Sequence, residues 1–505
     1  MRLPKVCLAL SGDTVDDMLA AAESMARDNP FMEFRLDYLK QPLAALSKIH
    51  KFLETNQFVT AIGTCRRADN GGKFKGSLAS ELEVLTKAHA AGCQLVDLEL
   101  QSALKAKPEA IARLRSRAGL ILSFHDFRAT RNLDDTLEKM LKIPADYYKV
   151  VGTATTLFDN VTMMKFLQTR SDKHGLIGIC MGEQGIISRV LSVRAGSVFT
   201  FGAISSDLKT APGQVSSRDL RSIYRIEQVD AATRVYGVAG DPVEHSLSPI
   251  IMNTAMRREN VNSVYVPLHA KTLKDLLHCV RDIPLHGLSV TMPYKQAILP
   301  HLDNTDAHTT KIGACNTVVR GQDGKLYGFN TDVAGVLRPL EQRITVDGAK
   351  VLVLGAGGAA RAAVFGLKER GAEVWVMNRT SATGQKLARQ AKAHSIKRAD
   401  LHKVAFDVII NATPLGMGNI KDCPLKDDEI QAKVVFDMVY DPVETHLLRV
   451  ARAKGIAVIP GVEMFVQQAA RQFEIWTGKP APAGDMLRAV TIALQERAAA
   501  KQQKA

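Results

Sequence analysis

The sequence lacks any uninterrupted apolar run of the ~18 residues that a membrane-spanning helix requires, so a transmembrane role is excluded and no membrane partner is expected. It lacks a CxxC pair: Cys7, Cys65, Cys93, Cys180, Cys279, Cys315 and Cys423 are scattered and odd in number. That pattern excludes a disulfide framework and a zinc ribbon and leaves reduced thiols and no metal as the expectation. A block of basic charge is also missing. The net charge of +14 is shared equally between residues 1–225 and the rest of the chain, which is not a nucleic-acid footprint but suits small anionic ligands. The opening MRLPKVCLALSGDT has too short an apolar run for a secretory signal and passes straight into strand-like sequence, so the expected location is the cytoplasm. No internal repeat appears. What is present is an ordinary globular composition, 46% hydrophobic and 23% charged over 505 residues, enough for about three folding units.

The first 225 or so residues alternate short apolar runs with helical spacing. The runs are KVCLAL, FMEFRLD, FVTAIGTC, LVDLEL, GLILSFHDF, YYKVVGTA, LIGICMG and FTFGA. This alternation predicts an α/β fold, a (β/α)8 barrel whose last units are compact. Ionisable residues gather at the ends of the runs. Glu33, Arg35 and Asp37 close the second, Arg66 and Arg67 follow the third, and His125 and Asp126 end the fifth; Lys149 lies in the sixth and Arg189 follows the seventh. In such a barrel those ends share the face on which active sites are built.

Lys149 is flanked by Tyr147, Tyr148, Val150 and Val151. A buried ammonium is costly unless it is paired or neutralised, and a neutral amine attacks a ketone to form a Schiff base. His125, one strand earlier, is placed to move protons, and the arginines form an anion clamp. The residues alone point to a Schiff-base lyase or aldolase acting on an anionic keto compound; the plain alternative is a lysine that snorkels to solvent.

YRIEQVDAATR, near residues 224–234, reads as a linker, after which a second αβ pattern begins at VYGVAGDP. Gly355-Ala356-Gly357-Gly358-Ala359-Ala360 follows an apolar strand and opens a helix, the setting a G-x-G-x-x-G/A dinucleotide turn needs. Gly355 permits the turn, Gly357 admits a pyrophosphate to the backbone, and Ala360 lets helix and strand pack closely; the helix N-terminus then faces the phosphates. The next strand ends in Asn378-Arg379-Thr380 with no acid to hold a ribose 2′-hydroxyl. A guanidinium pairs with a 2′-phosphate, which favours NADP over NAD; otherwise Arg379 merely ends a strand in solvent. QERAAAKQQKA at the C-terminus reads as a polar helical tail.

Residues 1 to about 225 resemble type I 3-dehydroquinate dehydratases through EFRLD (33–37), SFHDF (123–127), YYKVVG (147–152), GIISRV (185–190) and APGQ (211–214). The resemblance implies imine formation at Lys149 and general acid/base work by His125. It implies substrate contacts from Glu33, Arg35, Arg66, Arg189, Thr210 and Gln214. Asn70 stands where some members carry Glu, and Thr210 where some carry Ser.

Residues from about 235 to 495 resemble shikimate dehydrogenases. The motifs are GDPVEHSLSP (240–249), SVTMPYK (289–295), GACNTV (313–318), NTD (330–332), GAGGAAR (355–361), NRT (378–380), NATPLGM (411–417), DMVYDP (437–442) and MFVQQAA (464–470). This resemblance implies a catalytic pair, Lys295 and Asp332. Ser246 and Ser248 would bind the substrate carboxylate, Thr291, Asn316 and Gln468 its hydroxyls, with Tyr440 a further contact. NADP contacts are implied at Gly355, Ala356, Gly357, Gly358, Ala359, Asn378, Arg379, Thr380, Asn411, Thr413 and Gly461. Ser289 stands where single-function members commonly carry Asn, and His446 where Pro is frequent. The motif order implies a discontinuous substrate domain, so the expected layout is a barrel over 1–225, a linker over 226–234, a substrate domain over 235–335 and 462–500, and a Rossmann NADP-binding domain over 336–461.

The two halves share an intermediate. Dehydration of 3-dehydroquinate gives 3-dehydroshikimate, which the second half would reduce to shikimate, so the expectation is a bifunctional shikimate-pathway enzyme with NADP as cofactor and small anionic substrates as partners. Two other readings are weighed against it. One is a Schiff-base aldolase-like barrel fused to a quinate-type dehydrogenase; the other is a basic binding protein, against which Lys149, His125, Lys295 and Asp332 together argue. The motifs carry no oligomeric state.

Overall fold

The computed structural model describes residues 3–204, 213–243, 246–283, 285–417, 419 and 422–504. Two compact units emerge, Met1–Arg234 with Val266–Pro284 and Val235–Tyr265 with Leu285–Ala505. Among the described residues no helix is long and apolar enough to cross a membrane.

The first unit holds eight parallel strands: β1 (Val6–Leu10), β2 (Phe31–Arg35), β3 (Thr60–Thr64), β4 (Leu95–Glu99), β5 (Gly119–His125), β6 (Tyr147–Thr153), β7 (Leu176–Met181) and β8 (Thr200–Gly202). Their order is β7-β6-β5-β4-β3-β2-β1-β8. At the seam between β7 and β8 the Val198 N–H donates to the Leu176 carbonyl at 2.8 Å, and the Gly178 N–H donates to Ser197 Oγ at 3.2 Å. The barrel is thus nearly closed, and the expected (β/α)8 architecture is present.

Strands buried on both faces read as apolar runs, and their period of two then sorts inside from outside. Phe31, Leu95, Ile121 and Phe199 belong to one apolar cluster at the barrel's base, where Phe31 meets Phe199 edge-on at 4.9 Å. One step further along β2, β4 and β5 stand Glu33, Asp97 and Ser123, with Lys149 of β6 in register with Ser123; another step along the same three strands brings Arg35, Glu99 and His125. The outer helices start on local signals, such as Ser77, whose hydroxyl accepts from Ser80 N–H at the head of Leu78–Ala90. Residues 226–234 lie against the barrel: Ile226 and Val229 are buried, and Lys5 Nζ donates to the Val229 carbonyl at 2.5 Å.

Two further sheets follow the barrel in sequence. The first runs β10-β9-β11-β13-β14-β12, with β9 (Arg234–Gly240), β10 (Ser263–His269), β11 (Leu285–Val290), β12 (Asn304–Thr305), β13 (Thr317–Arg320) and β14 (Leu326–Phe329). It is mixed: β11 is parallel to β9 and antiparallel to β13. Helices Ser248–Arg258, Gly461–Thr477 and Ala483–Lys504 contribute to its apolar cover.

The second sheet is parallel, with β15 (Lys350–Leu354), β16 (Glu373–Met377), β17 (His394–Ser395), β18 (Val408–Asn411), β19 (Val434–Asp437) and β20 (Ala457–Ile459) in the order β17-β16-β15-β18-β19-β20. Counted from its own first strand this is 3-2-1-4-5-6, the Rossmann order, whose switch point beside the first strand is where a dinucleotide binds. The chain then returns through Gly461–Thr477 to the first sheet.

Candidate active sites

In the barrel, the ionisable ends of β2, β4, β5 and β6 meet. Lys149 Nζ donates to Asp97 Oδ2 at 2.9 Å, lies 3.9 Å from Glu33 Oε1, and sits 4.2 Å from the centre of the Phe201 ring. Lys149 is 4% exposed, so its charge is supported by these carboxylates rather than by water. Ser123 Oγ lies within hydrogen-bonding distance of Asp97 Oδ1 at 2.7 Å and Glu99 Oε2 at 3.0 Å. Glu99 also meets His125 Nδ1 at 2.9 Å. Arg66 bridges the two acids, with Nη2 3.3 Å from Asp97 and Nε 3.2 Å from Glu99. Thr64 Oγ1 donates to Glu33 at 2.7 Å, and Arg35 forms a two-pronged pair with Asp37 at 2.9 and 2.8 Å.

These charges divide the labour. Burial opposes ionisation of Asp97, but Lys149, Arg66 and His125 outweigh it and hold the carboxyl well below its usual range. Burial lifts Glu99 to about 7, offset in part by Arg66. His125 is pushed well below the usual imidazole range by burial, then by Arg66 and Lys149, so it is neutral near pH 7. Burial lowers Arg189 to about 10; this residue is in the short helix Ile186–Leu191 after β7 and is buried. Gln214 is buried too, and Thr210 lies outside the described residues. Sequence reasoning overlooked Asp97, Glu99 and Ser123. The signal available was the spacing of Leu95, Asp97 and Glu99, one face of a doubly buried strand.

In the second unit a cavity of about 190 Å³ is lined by Ser246, Ser248, Thr291, Lys295, Asn316, Asp332, Tyr440 and Gln468, and also by Ser289 and Gln472. Lys295 Nζ donates to Asp332 Oδ2 at 2.5 Å. Asp332 opens the helix Asp332–Glu341, where a negative charge faces the helix's positive end. Its other oxygen accepts from Asn316 Nδ2 at 2.8 Å, so both carboxylate oxygens are fixed. Tyr440 stacks on Phe465 at 4.5 Å, and Gln468 Nε2 donates to the Phe465 carbonyl at 2.8 Å.

The glycine turn joins this cavity. Gly355 has φ +114°, and a Cβ there would stand 3.0 Å from the Ala412 carbonyl, so only glycine fits. Gly357 caps the helix Gly358–Glu369 with open space where a side chain would be. Ala356 is part-buried in the same turn. Ala359 and Gly461 line the cavity itself. Beyond β16, Asn378 Nδ2 donates to the Thr380 carbonyl at 2.9 Å, while Arg379 and Thr380 are exposed; among the described residues Arg379 makes no ion pair. Asn411 is fully buried and binds Asp437 at 2.9 Å and the Thr413 N–H at 3.0 Å. A donor-rich helix start, a glycine with open space above it and an uncommitted guanidinium fit a phosphorylated dinucleotide.

Comparison with known proteins follows the same division. The type I 3-dehydroquinase family matches residues 6–231. The shikimate dehydrogenase substrate binding domain matches 238–318, shikimate/quinate 5-dehydrogenase 340–435, and the shikimate 5′-dehydrogenase C-terminal domain 461–491. A chloroplastic bifunctional 3-dehydroquinate dehydratase/shikimate dehydrogenase of Arabidopsis thaliana is 34% identical, over 94% of this chain and 82% of its own length. The shikimate biosynthesis protein AroDE of Chlamydia pneumoniae is 32% identical, over 73% of this chain and 75% of its own. A shikimate dehydrogenase (NADP(+)) of Pyrococcus furiosus is 38% identical, over 53% of this chain and 99% of its own. With both halves matched in order and a two-function relative aligned along most of its length, the chain belongs to the bifunctional 3-dehydroquinate dehydratase/shikimate dehydrogenase family.

Proposed function

We propose that the barrel dehydrates 3-dehydroquinate through an imine at Lys149 and that the cavity around Lys295 reduces the resulting 3-dehydroshikimate to shikimate. The observation that carries the first step is the buried Lys149 between Asp97 and Glu33, one strand from the neutral His125. His125 takes a proton from the Lys149 ammonium so that the neutral amine adds to the ketone carbon. The former ketone oxygen gains one proton from that nitrogen and the one His125 returns, and leaves as water to give the imine, while Asp97, held as a carboxylate, supports the positive charge. His125, its Nδ1 held by Glu99, removes a proton from the carbon beside the imine through Nε2. The hydroxyl one carbon further on leaves as a second water with the proton that His125 returns to it. Water then returns to the imine carbon, freeing Lys149 and the product. Arg35, Arg66, Arg189, Glu33, Thr210 and Gln214 are assigned to the substrate's carboxylate and hydroxyls.

The cofactor is NADP, and NADPH supplies the hydride for the second step. The glycine turn and helix start at 355–359 hold the pyrophosphate, Arg379 with Asn378 and Thr380 the 2′-phosphate, and Asn411 shapes the turn that carries Thr413. Lys295 gives a proton to the oxygen of the ring ketone as it becomes an alkoxide. Asp332 keeps that ammonium charged and aimed, while Ser246 and Ser248 hold the carboxylate, and Thr291, Asn316, Tyr440 and Gln468 frame the ring. The reading includes a cytoplasmic location.

Substituting Lys149→Ala abolishes dehydration and leaves NADPH-dependent reduction of 3-dehydroshikimate intact. Borohydride with 3-dehydroquinate attaches the substrate skeleton to Lys149 in the parent and nowhere in the variant. A Lys149→Ala enzyme that still dehydrates overturns the imine.

A further inference from the structure

We propose that Tyr265 is a positioning residue for the reduction site, fixing Ser289 so that it accepts a hydrogen bond from a substrate hydroxyl and cannot donate one. The proposal rests on the reading of the Lys295 cavity as that site. Ser289 lines the cavity.

The direction of every bond is set by its neighbours. Gln472 Nε2 donates to the Asn316 carbonyl and to Thr317 Oγ1, both at 3.0 Å. Its oxygen therefore faces Ser289, whose Oγ donates to it at 2.8 Å. With that proton committed, Ser289 accepts the Tyr265 hydroxyl at 2.6 Å. A hydroxyl has one proton and two lone pairs, so one lone pair of Ser289 is left toward the cavity. Because Gln472 also binds Asn316 and Thr317, the order reaches the groups that hold Asp332: Thr317 Oγ1 donates to Asn316 Oδ1 at 2.8 Å, and Asn316 Nδ2 donates to Asp332.

Tyr265 is built to be rigid. It is 0% exposed, and burial pushes its phenol up, so it is a neutral donor. Asn253 clasps its backbone, accepting from the N–H at 2.9 Å and donating to the carbonyl at 2.8 Å. The Trp476 ring lies 6.0 Å away, itself anchored to the Val318 carbonyl at 3.1 Å.

The test is kinetic, on the full chain, with shikimate and NADP+ and with dehydration of 3-dehydroquinate as the folding control. Tyr265→Phe raises KM for shikimate about tenfold, with kcat and KM for NADP+ within about twofold, as loss of one oriented hydrogen bond implies. Ser289→Asn alone is also impaired, because the Tyr265 hydroxyl occupies the space an amide needs. In Tyr265→Phe/Ser289→Asn that space is vacated, and KM returns to within about threefold of the parent. An unchanged KM in Tyr265→Phe overturns the proposal, as does equal impairment of both substrates, or no recovery in the double variant. Lys295→Ala separates the two readings: if it still reduces at the parent rate, the assignment of the cavity falls and the proposal falls with it. If it is inactive while Tyr265→Phe is unchanged, only the proposal falls.

Discussion

At the scale of single residues, the barrel chemistry depends on charges that cannot reach water. Glu99, at about 7, becomes a carboxylate as pH rises through neutrality. Only then does it accept the His125 Nδ1–H and leave Nε2 as the base. The expected outcome is a dehydration kcat that climbs as pH rises through about 7. Glu99→Gln flattens that limb and lowers the plateau about tenfold or more, as a pH–rate profile checks. Folding stability runs in the opposite sense. Glu81, beside Ser102 at 2.6 Å, is lifted by burial to about 7 from 4.5, as Glu99 is. Below 4.5 both states of the chain are protonated and this stabilisation is complete; it is lost as pH rises through about 7. Melting temperatures across that window fall less steeply in Glu81→Gln. Lys149 and His125 were legible because an isolated basic residue in an apolar strand is conspicuous. Asp97 and Glu99 were not, since acids alternating with leucine read as an outward face, and only closure of the barrel turns that face inward.

At the scale of elements, the glycine turn serves two sites. A Cβ on Gly358 would stand 3.1 Å from Lys295 Cδ and 3.3 Å from its Cβ, closer than side chains normally approach. Three residues on, Arg361 Nε donates to the Ile312 carbonyl at 2.5 Å, tying the same helix to the loop that ends in Asn316. Gly358→Ala therefore displaces the Lys295 stem: kcat for reduction falls about tenfold while dehydration is unaffected, measured on one preparation. The motif announced a nucleotide turn and a Rossmann domain around it, while the order of the strands shows only in the fold. That Gly358 abuts Lys295 was invisible, because 63 positions of chain separate the two and only the packed fold brings them together. The antiparallel β13–β14 pair and the two-residue β12 were hidden for another reason: such short strands carry too few residues to show a period.

At the scale of the whole molecule, each unit has its own apolar clusters and its own site, and their chemistries join in series. The barrel's product is the ketone that the second unit reduces. The net charge of +14, without a basic patch in the sequence, suits a succession of anionic substrates. Whether both sites act in sequence is read by a coupled assay of purified protein, 3-dehydroquinate and NADPH, with cofactor oxidation followed and the product identified. The expected outcome is NADPH loss with shikimate formed in equal amount. No oxidation with 3-dehydroquinate, but rapid oxidation once 3-dehydroshikimate is supplied, would contradict the assignment of the barrel.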